Sequence, residues 1–183
     1  GQNVILFNKG DGADTVTSLD VDQDDTLSLG GGICQTDVTL SKSGNDLVLS
    51  DGAGDSITFK DWYASGTSAK KSVLNLQIIE EAATEFDAGS ANALVNNTGE
   101  TVNFAGIVSA FDQALAENSA LGAWAISNAL TTNSLGGSDT AAIGGDFAQQ
   151  YGVSGNFSTM GQTAAQRVLS ESTCGVSAQT FQS

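Results

Sequence analysis

No histidine and no proline occur among the 183 residues; only six are lysine or arginine, and two are cysteine. Each shortage excludes something. Without histidine there is no Ser-His-Asp triad, no Cys-His dyad, no His-ligated zinc and no His-held haem. Without proline there is no Asp-Pro bond at which the chain could cut itself. Six bases against 21 acids leave a net charge of −15. Neither a nucleic-acid grip nor a polybasic membrane patch is expected, since both need clustered Lys and Arg. No apolar run approaches the roughly 20 residues of a membrane-spanning helix. Cys34 and Cys174 are too few for a disulfide framework, and two free thiols are favoured over one long-range bridge. The chain opens Gly1-Gln2-Asn3 with no basic-then-apolar leader, which reads as a module cut from a longer chain.

What the chain does have is unevenly spread. Twenty-two glycines with 40% apolar residues suit a packed core crossed by many tight turns. Residues 1–61 hold eleven acids, every one an aspartate, whereas from Thr101 onward there are five acids and one base, Arg167. Asp and Gly favour turns, and the Ala-rich remainder favours helix. The expected fold is therefore α+β. A parallel β-roll-like repeat region with a capping strand covers residues 1–84, a linker residues 85–100, and a small, mainly α-helical C-terminal region residues 101–183.

The first half repeats itself. Asp14, Asp25, Asp37, Asp46 and Asp55 each open a short β-prone run, at intervals of 11, 12, 9 and 9 residues. The last two intervals match a nonapeptide period, and the first two match it with insertions. A Gly-rich turn, an Asp and a short strand is the unit of a parallel β-roll, where aspartate and turn carbonyl oxygens face calcium between successive turns. Lys9-Gly10-Asp11-Gly12-Ala13-Asp14-Thr15-Val16 comes nearest to the nonapeptide pattern, with Lys9 where its first glycine belongs. Ser43-Gly44-Asn45-Asp46-Leu47-Val48-Leu49, Asp51-Gly52-Ala53-Gly54-Asp55-Ser56-Ile57 and the closing Asp61-Trp62-Tyr63 follow in order.

On those stretches, residues 3–79 resemble the calcium-binding, glycine-rich repeat region of bacterial RTX (haemolysin-type) secreted proteins. They are nearest to the degenerate segment that follows the true repeats. Gln35-Thr36-Asp37 has lost its glycines, and only one block keeps the Gly-x-Gly-x-Asp core. The candidate metal ligands are Asp11 and Asp14 with a partner loop at Asp51 and Asp55, and Asp25 besides; Asp25, Asp37 and Asp46 read equally well as turn formers. Asp20, Asp22, Asp24 and Asp25 form an acidic cluster that suits either a second site or a solvated loop. The resemblance implies calcium as cofactor, a secreted, extracellular bacterial protein, and the type I secretion machinery as partner. The implied role is a non-enzymatic module that folds on meeting calcium outside the cell. An adhesin or matrix end-domain is the alternative. Paired carboxylates would also suit a glycosidase, but these acids recur at repeat positions rather than forming one site.

Three further features complete the reading. Val73 to Ile79 alternates apolar and polar residues, as a half-buried strand does. Phe59, Trp62 and Tyr63 form an apolar plug, with a carbohydrate platform as the other use of such residues. Phe104, Ile107, Val108, Phe111 and Leu115 trace one face of an amphipathic helix. A second helix is expected over Leu121–Leu130, a third from near Thr140, and a last around Ala164–Leu169, with a low-charge tail resembling an uncleaved export signal.

Overall fold

The computed structural model describes residues 3–18, 24–30, 33–79, 87–97 and 99–138. Among these residues ten strands form two five-stranded sheets around one core. The first sheet contains β1 (Val4–Phe7), β3 (Asp25–Leu29), β7 (Val73–Ile79), β8 (Gly99–Asn103) and β10 (Ser134–Ser138), side by side in that order. The second contains β2 (Ala13–Val16), β6 (Ser56–Phe59), β5 (Asp46–Ser50), β4 (Thr39–Ser43) and β9 (Trp124–Ala125). Helix α1 (Phe104–Glu117) follows β8 directly, and the short α2 (Leu130–Asn133) precedes β10.

Both sheets are mixed, and this corrects the expected parallel β-roll. The pairs β1–β3, β3–β7 and β2–β6 are parallel. The pairs β4–β5, β5–β6, β7–β8, β8–β10 and β4–β9 are antiparallel. The reason lies in the turns. Ser43 pairs with Asp46, so Gly44 and Asn45 make a two-residue loop, and only Gly44 takes a positive φ, of 60°. Glycine at the first central position is the chemistry of a type II′ hairpin, which sends the chain straight back rather than across to the other sheet. Ser50 pairs with Ser56 around the next loop, a second reversal. Nine residues per repeat is thus one strand plus one hairpin turn, and the two regular intervals are a meander. The irregular early intervals carry the parallel pairs.

The region after the repeats is also less helical than expected. Helix α1 forms where the periodicity predicts it, and the Asn103 side chain caps it by accepting from the N–H of Gly106 at 3.0 Å. Leu121–Leu130 does not form a second helix. It holds β9, whose Trp124 pairs with Leu40 of β4, then a 3₁₀ turn at Ile126–Asn128. A free edge on β4 offers backbone partners that outweigh the local preference of an Ala-rich run broken by Gly122. The third and last expected helices lie outside the described residues.

Alternation sets the core. Leu47 and Leu49 of β5, and Ile57 and Phe59 of β6, are buried and directly opposed in register. Phe7, Leu27 and Leu29 of the first sheet belong to the same buried cluster. The helix joins the two layers: Phe104 meets Phe59 at 5.8 Å and Trp62 at 5.9 Å between ring centroids, and Phe111 meets Trp124 at 5.9 Å. Phe59 and Trp62 are therefore core residues between the layers rather than a plug for the end of a roll.

Cys34 is buried and disulfide-bonded, contrary to the expected free thiol. Distance along a chain is a poor guide here, because loop-closure cost grows only slowly with loop length. Cys174, the other cysteine, lies outside the described residues. Cys34 is expected to resist alkylation under native, non-reducing conditions and to react once reductant is added, as read by mass spectrometry. Phe104→Ala is expected to cost about 3–5 kcal/mol, since it empties a fully buried aromatic contact between the layers. Denaturant unfolding measures it, and a loss below about 1 kcal/mol would show that the helix does not join the sheets as described.

Candidate functional site

Parallel pairing of β2 with β6 sets two glycine-rich turns side by side. One runs from Asn8 to Gly12, the other from Ser50 to Asp55. Gly10 and Gly12 take φ of 93° and 84°, a region open to glycine, and this turns their N–H groups toward the neighbouring loop. The Asp55 carboxylate fills that position. Its Oδ2 accepts from the Gly10 N–H at 2.6 Å and its Oδ1 from the Gly12 N–H at 3.0 Å. Below this clamp the Ser56 N–H donates to the Gly12 carbonyl at 2.8 Å, starting the ladder.

Each turn is also closed from within. Asp51, almost fully buried, accepts at Oδ1 from the N–H groups of Ala53 and Asp55 at 2.8 and 3.1 Å. Asp11 accepts from the Asn8 N–H at 2.8 Å, while its own N–H donates to the Asn8 carbonyl. The Asp37 carbonyl lies against Gly52, where a Cβ would come within 3.1 Å. The expected pairing of the two loops is thus present, and Asp11, Asp51 and Asp55 stand at it.

Other predicted ligands stand elsewhere. Asp14 is an exposed residue of β2, opposite Ile57. Asp25 belongs to the first sheet, where its buried Oδ1 accepts from the backbone and side-chain N–H groups of Asn3, each at 2.9 Å. Asp24 accepts from the Asn75 side chain at 2.7 Å. Asp46 pairs with Lys60 at 2.6 Å and accepts from the Asp61 N–H. Asp20 and Asp22 lie outside the described residues. Among the described residues no three acid or cysteine side chains are grouped to hold a metal ion.

The electrostatics follow the bonds. The Gly10 N–H, with the Gly12 N–H behind it, holds the Asp55 carboxyl below its ordinary value against the opposing effect of burial. Lys60, then the Asp61 N–H, does the same for Asp46. The same pair raises Lys60, and two acidic groups also move up, neither of them signalled by the sequence pattern. Burial, then the hydrogen bond to Asp112, pushes the Tyr63 hydroxyl up. Burial raises Glu100, which shares the inward-facing side of β8 with Val102 and accepts from the Ser134 hydroxyl. Its other oxygen, Oε2, is buried with no hydrogen-bond partner among the described residues. Glu100 falls in the stretch read as linker, where nothing marks it as a core residue.

No protein-family model matches the chain, and neither does any curated protein at a significant level of similarity.

The bonded form of Asp55 is the ionised one, so its folded value lies below the ordinary 3.8. The stabilisation is complete above that ordinary value and is lost as pH falls through the lower folded one. Melting temperatures from about pH 6 down to about pH 2 are expected to show this acid loss. Asp55→Asn is expected to lower the neutral-pH melting temperature by about 2–4 °C and to flatten the acid limb. An unchanged acid limb in the variant would mean that the clamp contributes nothing.

Proposed function

We propose that this chain is a non-enzymatic, extracellular module of a larger, type I-secreted bacterial protein, and that its paired glycine-aspartate turns respond to calcium. The observation that carries the reading is the stacking of Asn8–Gly12 on Ser50–Asp55, which sets the turns that carry Asp11, Asp51 and Asp55 side by side at the parallel β2–β6 pair, although their three carboxylates are not grouped as a ready-made metal site. Carboxylates beside tight glycine turns, with carbonyls at hand, are the hard oxygen donors calcium takes. Asp11, Asp51 and Asp55 would hold the ion together with turn carbonyls. Bound calcium would neutralise the turns and draw them together.

Two further observations support the reading. A disulfide at Cys34 suits an oxidising compartment. A net charge of −15 disfavours compaction, so a divalent cation that binds only the folded state shifts the balance toward folding. Scarce calcium inside a cell and plentiful calcium outside would then couple folding to export. No helix among the described residues is long and apolar enough to cross a membrane.

Calorimetry in EDTA and then in calcium tests this. At a calcium concentration about tenfold above Kd, the melting temperature is expected to rise by about 3–6 °C. Asp51→Asn is expected to remove most of that increment, whereas Asp14→Ala keeps it. Superimposable curves with and without calcium would overturn the calcium part of the proposal.

A further inference from the structure

Bases are scarce in this chain, yet four of the six lie between residues 42 and 71. The fold brings them to one corner, where the β4–β5 loop meets the chain leaving β6. The Tyr63 N–H donates to the Asn45 carbonyl at 2.8 Å, and the Lys70 N–H to the Asp61 carbonyl at 3.1 Å. Lys60 is neutralised by Asp46. Lys42 and Lys71 are not neutralised: among the described residues neither forms an ion pair. Their ammonium groups stand 4.6 and 5.8 Å from the centre of the Tyr63 ring, whose hydroxyl donates to Asp112 at 2.8 Å.

Lys42 is unusually placed for a surface lysine. It pairs in register with the buried Leu47, on the same side of β4 as Leu40, so it extends the inward-facing row. Its ammonium leaves the end of that row over Tyr63, where the ring face steadies it. A second cation at the same ring adds repulsion that the fold does not require. We infer that the Lys42–Tyr63–Lys71 corner binds an acidic oligosaccharide through its carboxylates.

The surroundings select that class. Ser43 and Asn45 at the β4–β5 turn, and Ser65, Thr67 and Ser68 on the chain leaving β6, are exposed and offer hydroxyl and amide groups, with Asp61 the exposed carboxylate of that segment. The exposed large apolar residues among those described, Val4, Leu6 and Leu135, belong to the other sheet. A protein partner would look for an apolar patch, and this corner has none. A nucleobase would need an open aromatic face, and ammonium groups attend this one. A uronate chain has carboxylates for the two cations and hydroxyls for the rim. Lysine recognises them as a point charge rather than a fork, so charge rather than stereochemistry dominates.

Isothermal titration of the full chain with an oligogalacturonate tests the site. EDTA is kept present so that the calcium turns stay out of play. Binding is expected, with none for the uncharged oligogalactoside. Lys42→Gln with Lys71→Gln is expected to weaken it about tenfold, with circular dichroism unchanged, while Lys9→Gln leaves it intact. Independently of any variant, raising sodium chloride from about 0.05 to about 0.3 M is expected to weaken binding severalfold. Absence of oligogalacturonate binding overturns the inference. So do salt-insensitive binding, full binding by a folded double variant, or tighter binding of an oligothymidylate.

Discussion

The contact of Phe59, Trp62 and Phe104 holds this molecule to one arrangement. Phe59 ends β6 of the second sheet, Trp62 follows in the next turn, and Phe104 opens the helix directly after β8 of the first sheet. Three rings at edge-on or tilted angles therefore join both layers and the helix. Because β8 runs straight into α1, the position of Phe104 also sets where the helix begins. It brings Asp112 to Tyr63 and Phe111 to Trp124. The basic corner is thus a consequence of core packing: its tyrosine is held by a helix that the aromatic contact has positioned.

At the opposite end of the same strands, polar bonds take over. The loops around Gly10–Gly12 and Asp51–Asp55 have little side-chain bulk to bury, so backbone N–H groups and carboxylates organise them. One carboxylate, Asp55, links segments 43 and 45 residues apart. A turn held in this way depends on ionisation, whereas the aromatic end depends on apolar contact. The two ends of the body therefore respond to different solution conditions.

Much of this was legible in the sequence, and the failures have physical causes. The β-prone runs after Asp14, Asp25, Asp46 and Asp55 are all strands, because alternation and β-branched residues are local properties. Helix α1 was legible for the same reason. Pairing was not. A nine-residue interval describes a hairpin as well as a roll turn, and the deciding fact is the positive φ of Gly44 in a two-residue loop. The 121–130 stretch was misread because its partner, β4, lies some eighty residues away. In the candidate site, the apposition of the Gly10–Gly12 and Asp51–Asp55 loops was expected. That Asp55 would turn to backbone amides was not, because spacing carries no information about which way a carboxylate faces. The basic corner draws on Lys42, Tyr63, Lys71 and Asp112, residues joined by no motif.

The strand order has one more consequence. Among the described residues β1 borders only β3, and β2 borders only β6, so each ends its sheet. The two edges follow each other in the chain, joined only by the short loop between Phe7 and Ala13, which carries the chain from one layer to the other across the usual sheet spacing of about 10 Å. Among the described residues no strand pairs with the outer N–H and C=O groups of either edge, which makes this flank a two-rung template. A lone strand added there would satisfy one layer and leave the other open. Only a segment that supplies a strand to each layer, joined by a turn as tight as Asn8–Gly12, would match the flank in full.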